Sequence, residues 1–157
     1  MAVERWLSTK KAAATWTWAY QFADERSESP GESRSRVLIA QLGFAPPELQ
    51  RRERLPSGEW VRFDFSWSGG QIVGEFDGRI KFDQAKLLAG GDDRSVYWAQ
   101  VRREEAIRDA GHRVVRWGWE DLADPEVIER KLLREGVPRR RSVDLPDRCF
   151  SKGVESR

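Results

Sequence analysis

The chain has 157 residues, 39% apolar and 34% charged, with 28 basic and 26 acidic side chains leaving a net charge of +2. That length suits one domain with extensions, and the near balance of charge means that any nucleic-acid-binding surface must be a local patch. One cysteine, Cys149, excludes a disulfide framework and a thiolate zinc site, one histidine, His112, argues against histidine-rich metal centres, and no run reaches the ~18 apolar residues of a membrane span. With no signal-peptide pattern at the start, the expected setting is the cytoplasm, with no membrane partner.

Residues 1–26 read as a helix. Ala12, Ala13 and Ala14 are strong helix formers, and Trp18 and Phe22 are spaced to share a stripe with Leu7. Trp16, Tyr20 and Ala23 form a neighbouring stripe. This surface suits a helix packed on the domain that follows, or the remnant of a larger N-terminal domain. Its tryptophans are the expected contact for a protein partner or a second copy.

Ser27–Ser33 opens a second helix. Ser29 suits the N-cap, Pro30 the first helical position and Glu32 the capping-box position; Gly43 is a natural stop. Two roles are open to Glu32: capping beside the helix dipole, or a carboxylate projected toward the strands that follow.

Pro46–Pro47 breaks the chain, Glu48–Leu55 reads as a strand, and Pro56–Gly58 as a turn. Val61–Lys81 then reads as two strands joined at Gly69–Gly70. Val61, Phe63, Phe65 and Trp67 are expected to share one face, and Arg62, Asp64 and Ser66 the other. In the second strand Ile72, Gly74 and Phe76 oppose Val73, Glu75 and Asp77. A two-residue loop at Gly69–Gly70 would pair position 68 with 71 and Asp64 with Glu75. Like charges directly opposite on a sheet are destabilising. Two carboxylates there, with Asp77 on the same face, call for a cation and predict a divalent-metal site on a hairpin.

Gly78 is expected to end the strand, Lys81 follows in a loop, and 83–93 forms a loop or short helix. A helix over about Ser95–Ala110 carries Arg102, Arg103 and Arg108 interleaved with Glu104, Glu105 and Asp109, which reads as a solvated charge mosaic. Arg102 and Arg103 are also candidates for phosphate contacts. His112–Trp117 is a fourth strand, with His112 expected to face solvent in a structural role. Asp124–Pro125 caps a last helix whose apolar side is Val127, Ile128, Leu132 and Leu133. Residues 137–157 hold six basic and three acidic residues and are expected to form a mostly disordered basic tail. Within it Arg139–Arg141 is a short basic run suited to a nucleic-acid backbone. The element order predicts an α/β domain: a three-strand meander, a helical crossover and a fourth strand in one mixed sheet flanked by helices.

The ordered set Ser29–Arg36, Pro47–Gln50, Arg62–Trp67, Glu75–Lys81 and Gly111–Leu122 resembles a restriction-endonuclease-like domain of the PD-(D/E)XK superfamily. Within that superfamily it is most similar to the branch of the very-short-patch-repair (Vsr) endonuclease and related domains of unknown function, as in the C-terminal part of actinobacterial AbiEi-type antitoxin-like proteins. The resemblance covers roughly residues 27–136 and implies a mixed four-stranded sheet carrying a Mg²⁺- or Mn²⁺-dependent site that hydrolyses phosphodiester bonds in DNA. Carried onto this chain, it assigns the helix glutamate to Glu32, the metal-binding aspartate to Asp64 and the motif's acidic residue to Glu75. Asp77 stands where most of the superfamily has a lysine, so Lys81 is the residue left to supply that cation from a shifted position. Gln50, on the strand beside the hairpin, is a candidate for a phosphate or a metal-bound water. The alternative implied by the departure at Asp77 is a catalytically inactive nuclease-fold module that binds DNA or protein within a toxin–antitoxin or defence-type regulator.

Overall fold

A computed structural model describes residues 10–78 and 94–140. The chain divides into two compact units after Glu25. In the first, helix α1 (Lys10–Phe22) stacks Trp18 on Phe22 with ring centroids 4.9 Å apart and leaves Trp16 and Tyr20 exposed. No helix among the described residues is long and apolar enough to cross a membrane.

The second unit, Arg26–Arg141, is a mixed α/β domain built on one four-stranded sheet. Helix α2 (Pro30–Gln41) starts where local chemistry requires: Ser29 Oγ accepts the Glu32 N–H at 3.1 Å and donates to Glu32 Oε1 at 2.7 Å. Gly43, at φ +76°, turns the chain out of the helix. Strands β1 (Glu48–Arg54), β2 (Trp60–Trp67) and β3 (Ile72–Asp77) form the antiparallel meander. Helix α3 (Arg94–Asp109) precedes β4 (Arg113–Gly118), which lies parallel to β3 and completes the order β1-β2-β3-β4. Helix α4 (Pro125–Arg134) is capped by Asp124, whose side chain accepts the Glu126 N–H.

The two faces of the sheet bury separate cores. Leu38 and Ile39 of α2 and Ile128 and Leu132 of α4 pack with Phe65, Trp67, Ile72, Val115 and Trp117. On the other face Ile107 of α3 packs with Val61, Phe63, Val73 and Val114. Strands buried on both faces this way need helices on both sides, which the element order supplies.

Four expectations are corrected. Val61 and Phe63 do not share a face with Phe65 and Trp67, because they belong to the other core. The reversal falls at one row: the β1–β2 pairing runs Leu49↔Phe65 and then Arg51↔Phe63, skipping Gln50 and Asp64, and Gln50 has φ +54°. That left-handed residue breaks the two-residue repeat in β1; in β2 the change of side falls at the facing residue, Asp64, without a positive φ in that strand.

The β2–β3 connection is also longer than two residues. Trp67 pairs with Ile72, and Ser68, Gly69 and Gly70 form a tight 3₁₀ turn, all three with positive φ. The register is nevertheless the expected one, since Phe65↔Gly74 puts Asp64 and Glu75 one step further along.

Residues 137–140 belong to the fold, and the rest of the expected tail, 141–157, lies outside the described residues. Val137 is buried, Pro138 accepts the Ala45 N–H at 2.8 Å, and Arg139 bridges to Phe44. Arg139 pairs with Glu129, donates to the Leu42 carbonyl and lies over the Phe44 ring, so it is committed to the fold. Finally, His112 does not face solvent. Its Nδ1 lies 2.8 Å from the Gly70 carbonyl, its Nε2 3.3 Å from Glu53 Oε1, and its ring packs against Phe63.

Candidate functional site

The skipped row is also the centre of the site. By the register of the paired strands, Gln50, Asp64, Glu75 and Arg116 stand in one line across the four strands of the sheet. Where the β2–β3 ladder stops, Asp64 substitutes its side chain for the backbone: its Oδ2 accepts the Phe76 N–H at 2.9 Å. The carboxylate is thereby fixed against β3 by a donor that a regular ladder would have paired with a carbonyl.

Glu32 reaches the same neighbourhood from α2. Its Oε2 accepts both the Glu28 N–H and Gln50 Nε2, each at 3.0 Å. The approach of α2 depends on Gly31, since a Cβ there would lie 2.0 Å from Phe76 Cε1. Glu32 thus serves both roles that its sequence position left open: it caps the helix and it faces the strands.

Asp64, Glu75 and Asp77 open into one cleft of about 220 Å³, whose walls include Arg62, Gln100, Arg103 and Arg116. Burial pushes the Asp64 carboxyl up from 3.8 to about 6; the Phe76 N–H pulls it down, the Glu32 and Glu75 charges push it up, and Arg62 opposes them weakly. Glu75 has cations of its own. Arg116 Nη2 lies 2.6 Å from Oε2, and Arg103 Nη1 lies 2.9 Å from Oε1. Arg116 also reaches Glu104 at 3.2 Å, and Arg103 donates to the Arg62 carbonyl at 3.1 Å. Asp77 Oδ2 accepts Gln100 Nε2 at 3.2 Å.

Among the predicted residues, Asp64, Glu75, Asp77 and Arg103 line this cleft, and Glu32 and Gln50 stand behind it through their mutual hydrogen bond. Lys81 lies outside the described residues. Arg103 does not belong to a solvated ion-pair mosaic on its own helix; it crosses to the sheet. Sequence reasoning missed Arg116 and Gln100. Arg116 is one charged residue between the apolar Val115 and Trp117, but its distance from Glu75 follows only from the parallel register. Gln100 had no sequence signal beyond helical spacing from Arg103.

A divalent cation prefers oxygen donors and takes one or two carboxylates with waters and phosphate oxygens. The chemistry of the donor set fits: Asp64 carries a charge that its surroundings disfavour, Glu75 Oε1 is buried without a well-aligned hydrogen bond, and Gln50 Oε1 is buried with no partner among the described residues. The carboxylates are not gathered into a ready-made cage, for no three His, Cys, Asp or Glu side chains among the described residues stand close enough to grip one ion.

No family model matches the chain, and no solved structure matches it. Over 56 residues it is 38% identical to uncharacterized proteins from two strains of Mycobacterium tuberculosis, a stretch that is 36% of this chain and 21% of each of those proteins.

Proposed function

We propose that the cleft at Asp64 is the site of a metal-dependent DNA endonuclease of the restriction-endonuclease-like kind, hydrolysing phosphodiester bonds. The observation that carries this reading is convergence. Burial, with smaller contributions from the negative charges of Glu32 on a helix and Glu75 on a strand, raises Asp64 to about 6 in a cleft that also holds the guanidiniums of Arg62, Arg103 and Arg116. Perturbed carboxylates in a cleft are candidates for function.

Asp64, Glu75 Oε1 and Asp77 are the groups that would hold Mg²⁺ or Mn²⁺, with Glu32 acting through Gln50. When bound, such an ion supplies Lewis-acid stabilisation of charge on a phosphate oxygen. Arg103 and Arg116 carry the forked donors suited to phosphate, and their present carboxylate partner marks where an anion sits. Lys81 is proposed to orient the attacking water. The test is cleavage of plasmid and single-stranded DNA with Mg²⁺ or Mn²⁺. Wild type should cleave and Asp64→Ala should not.

A second reading is favoured by one specific observation, the double ion pairing of Glu75. If Arg103 and Arg116 hold it permanently, the domain is an inactive nuclease-fold module that binds DNA or protein, as in a toxin–antitoxin or defence-type regulator. DNA binding by wild type and Asp64→Ala, with cleavage by neither, would support that reading.

A further inference from the structure

Beyond the skipped row, the outer end of the β1–β2 hairpin presents one face to solvent. Arg54 pairs with Trp60, and Arg52 with Arg62, so the four side chains occupy two adjacent rows of that face. Trp60 is 68% exposed, the most of any described large hydrophobic residue. Its neighbour Val61 is buried in the core, so the strand is anchored without it. Arg52, Trp60, Val61 and Arg62 line an open depression of about 530 Å³.

The charges beside the indole are strongly biased. Among the described residues Arg52 makes no ion pair and Arg54 donates only to the Gly58 carbonyl, at 3.1 Å, while Arg62 is held bidentately by Glu28 at 2.7 and 2.8 Å. Arg62 also lines the Asp64 cleft, so the depression and the cleft share a wall.

We infer that this face binds an unpaired stretch of nucleic acid, one base stacking on Trp60 while Arg52 and Arg54 take the flanking phosphates and the backbone continues over Arg62 toward the cleft. The inference rests on the proposed reading of that cleft and deepens it by naming the form of the substrate. An exposed indole flanked by guanidiniums matches what single strands offer, a π face and a phosphate at each step. Bases within a duplex are stacked on one another and present no free face to an indole. A purely apolar partner would leave the three guanidiniums desolvated.

The test is fluorescence anisotropy of the full chain in EDTA, with a labelled oligothymidylate, an abasic chain of the same length and a duplex as probes. Wild type should bind oligothymidylate more tightly than the abasic chain. Trp60→Ala should weaken oligothymidylate binding roughly fivefold or more, the loss expected for one stacked base, and leave abasic binding unchanged. Trp60→Phe should recover part of the loss. Arg52→Ala should weaken both single-stranded probes and lower the salt slope by about one. The inference is overturned if wild type binds none of the probes, prefers the duplex, or if Trp60→Ala binds oligothymidylate like wild type. It is also overturned if Trp60→Ala changes the sedimenting mass while DNA affinity stays constant, which would make the face a protein contact. Because EDTA removes the metal, failure of the cleavage assay and failure of this one are separate results.

Discussion

Arg116 Nη2 lies 2.6 Å from Glu75 Oε2, across the row where parallel strands β3 and β4 meet. This contact answers the question posed by two carboxylates standing next to each other on a hairpin. The sequence leaves the pair in want of a cation, and the fold delivers guanidiniums to one member of it. Asp64 remains the carboxylate whose charge is least compensated, so it is where a metal has most to gain.

Removing that guanidinium should therefore be costly. Arg116→Met leaves Glu75 to Arg103 alone and Glu104 without its sheet-side partner. The expected loss is about 1–3 kcal/mol in urea unfolding, below the value for a fully buried pair because Arg103 remains. In a double-mutant cycle with Glu75→Gln the two losses should be non-additive. Additive losses would show that the contact carries no coupling.

Asp64→Asn should stabilise the protein at neutral pH. The folded carboxyl titrates near 6 against 3.8 ordinarily, so between these values the folded state holds more protons than the unfolded state. Stability then falls as pH rises through that window and stays lower above it. The asparagine, which cannot ionise and still accepts the Phe76 N–H, escapes this penalty. Discounted for partial solvent exposure, the gain at pH 7.5 should be ~1 kcal/mol and should vanish near pH 4. Equal stability at both pH values would refute the raised titration.

Divalent ions should act on the same residue. Mg²⁺ or Mn²⁺ should raise the melting temperature of wild type in a concentration-dependent way, by about 2.7 kcal/mol of stability at 100 times Kd. Asp64→Asn should respond far less. An identical response in both proteins would place the ion elsewhere.

Two glycines set close approaches around the site. A Cβ on Gly74 would meet Trp117 Cη2 at 2.7 Å, and one on Gly31 would meet Phe76 Cε1 at 2.0 Å. Trp117 is fully buried and cannot swing away, so Gly74→Ala should cost roughly 1–3 kcal/mol. Gly31→Ala should displace Phe76, the residue between Glu75 and Asp77, and so weaken the metal response as well as stability. Thermal melts with and without Mn²⁺ separate the two effects.

Ser35 supplies a simpler test of the core. It is buried, accepts the Trp117 Nε1–H at 2.8 Å and donates to the Gly31 carbonyl at 2.7 Å. Ser35→Ala strands the indole N–H and should cost about 1–3 kcal/mol by chemical denaturation. A change below a few tenths would mean that the donor finds another partner.

What the sequence determined by itself was local or periodic. Ser29, Pro30 and Glu32 mark the start of α2 because a helix terminus is satisfied by residues within one turn. Asp124 and Pro125 do the same for α4. The turn signal at Gly69–Gly70 located the β2–β3 hairpin closely enough to place Asp64 beside Glu75. The apolar runs and the helix before β4 were enough for a mixed sheet covered on both sides.

Only the tertiary structure decided the rest. The change of side in β2 falls between Phe63 and Phe65, at the row of Gln50 and Asp64 where the β1–β2 pairing is interrupted, so the pattern Val61, Phe63, Phe65, Trp67 looked like one face and serves two. The order of Val137–Arg140 comes from contacts with Phe44 and Glu129, distant in sequence. Most of all, Asp64 and Glu75 are equivalent as sequence, two acids on a hairpin, and differ because Arg103 and Arg116 arrive beside one of them from other elements. Charge compensation acts through space over a few ångströms, and the chain alone does not say which cation will be within that distance.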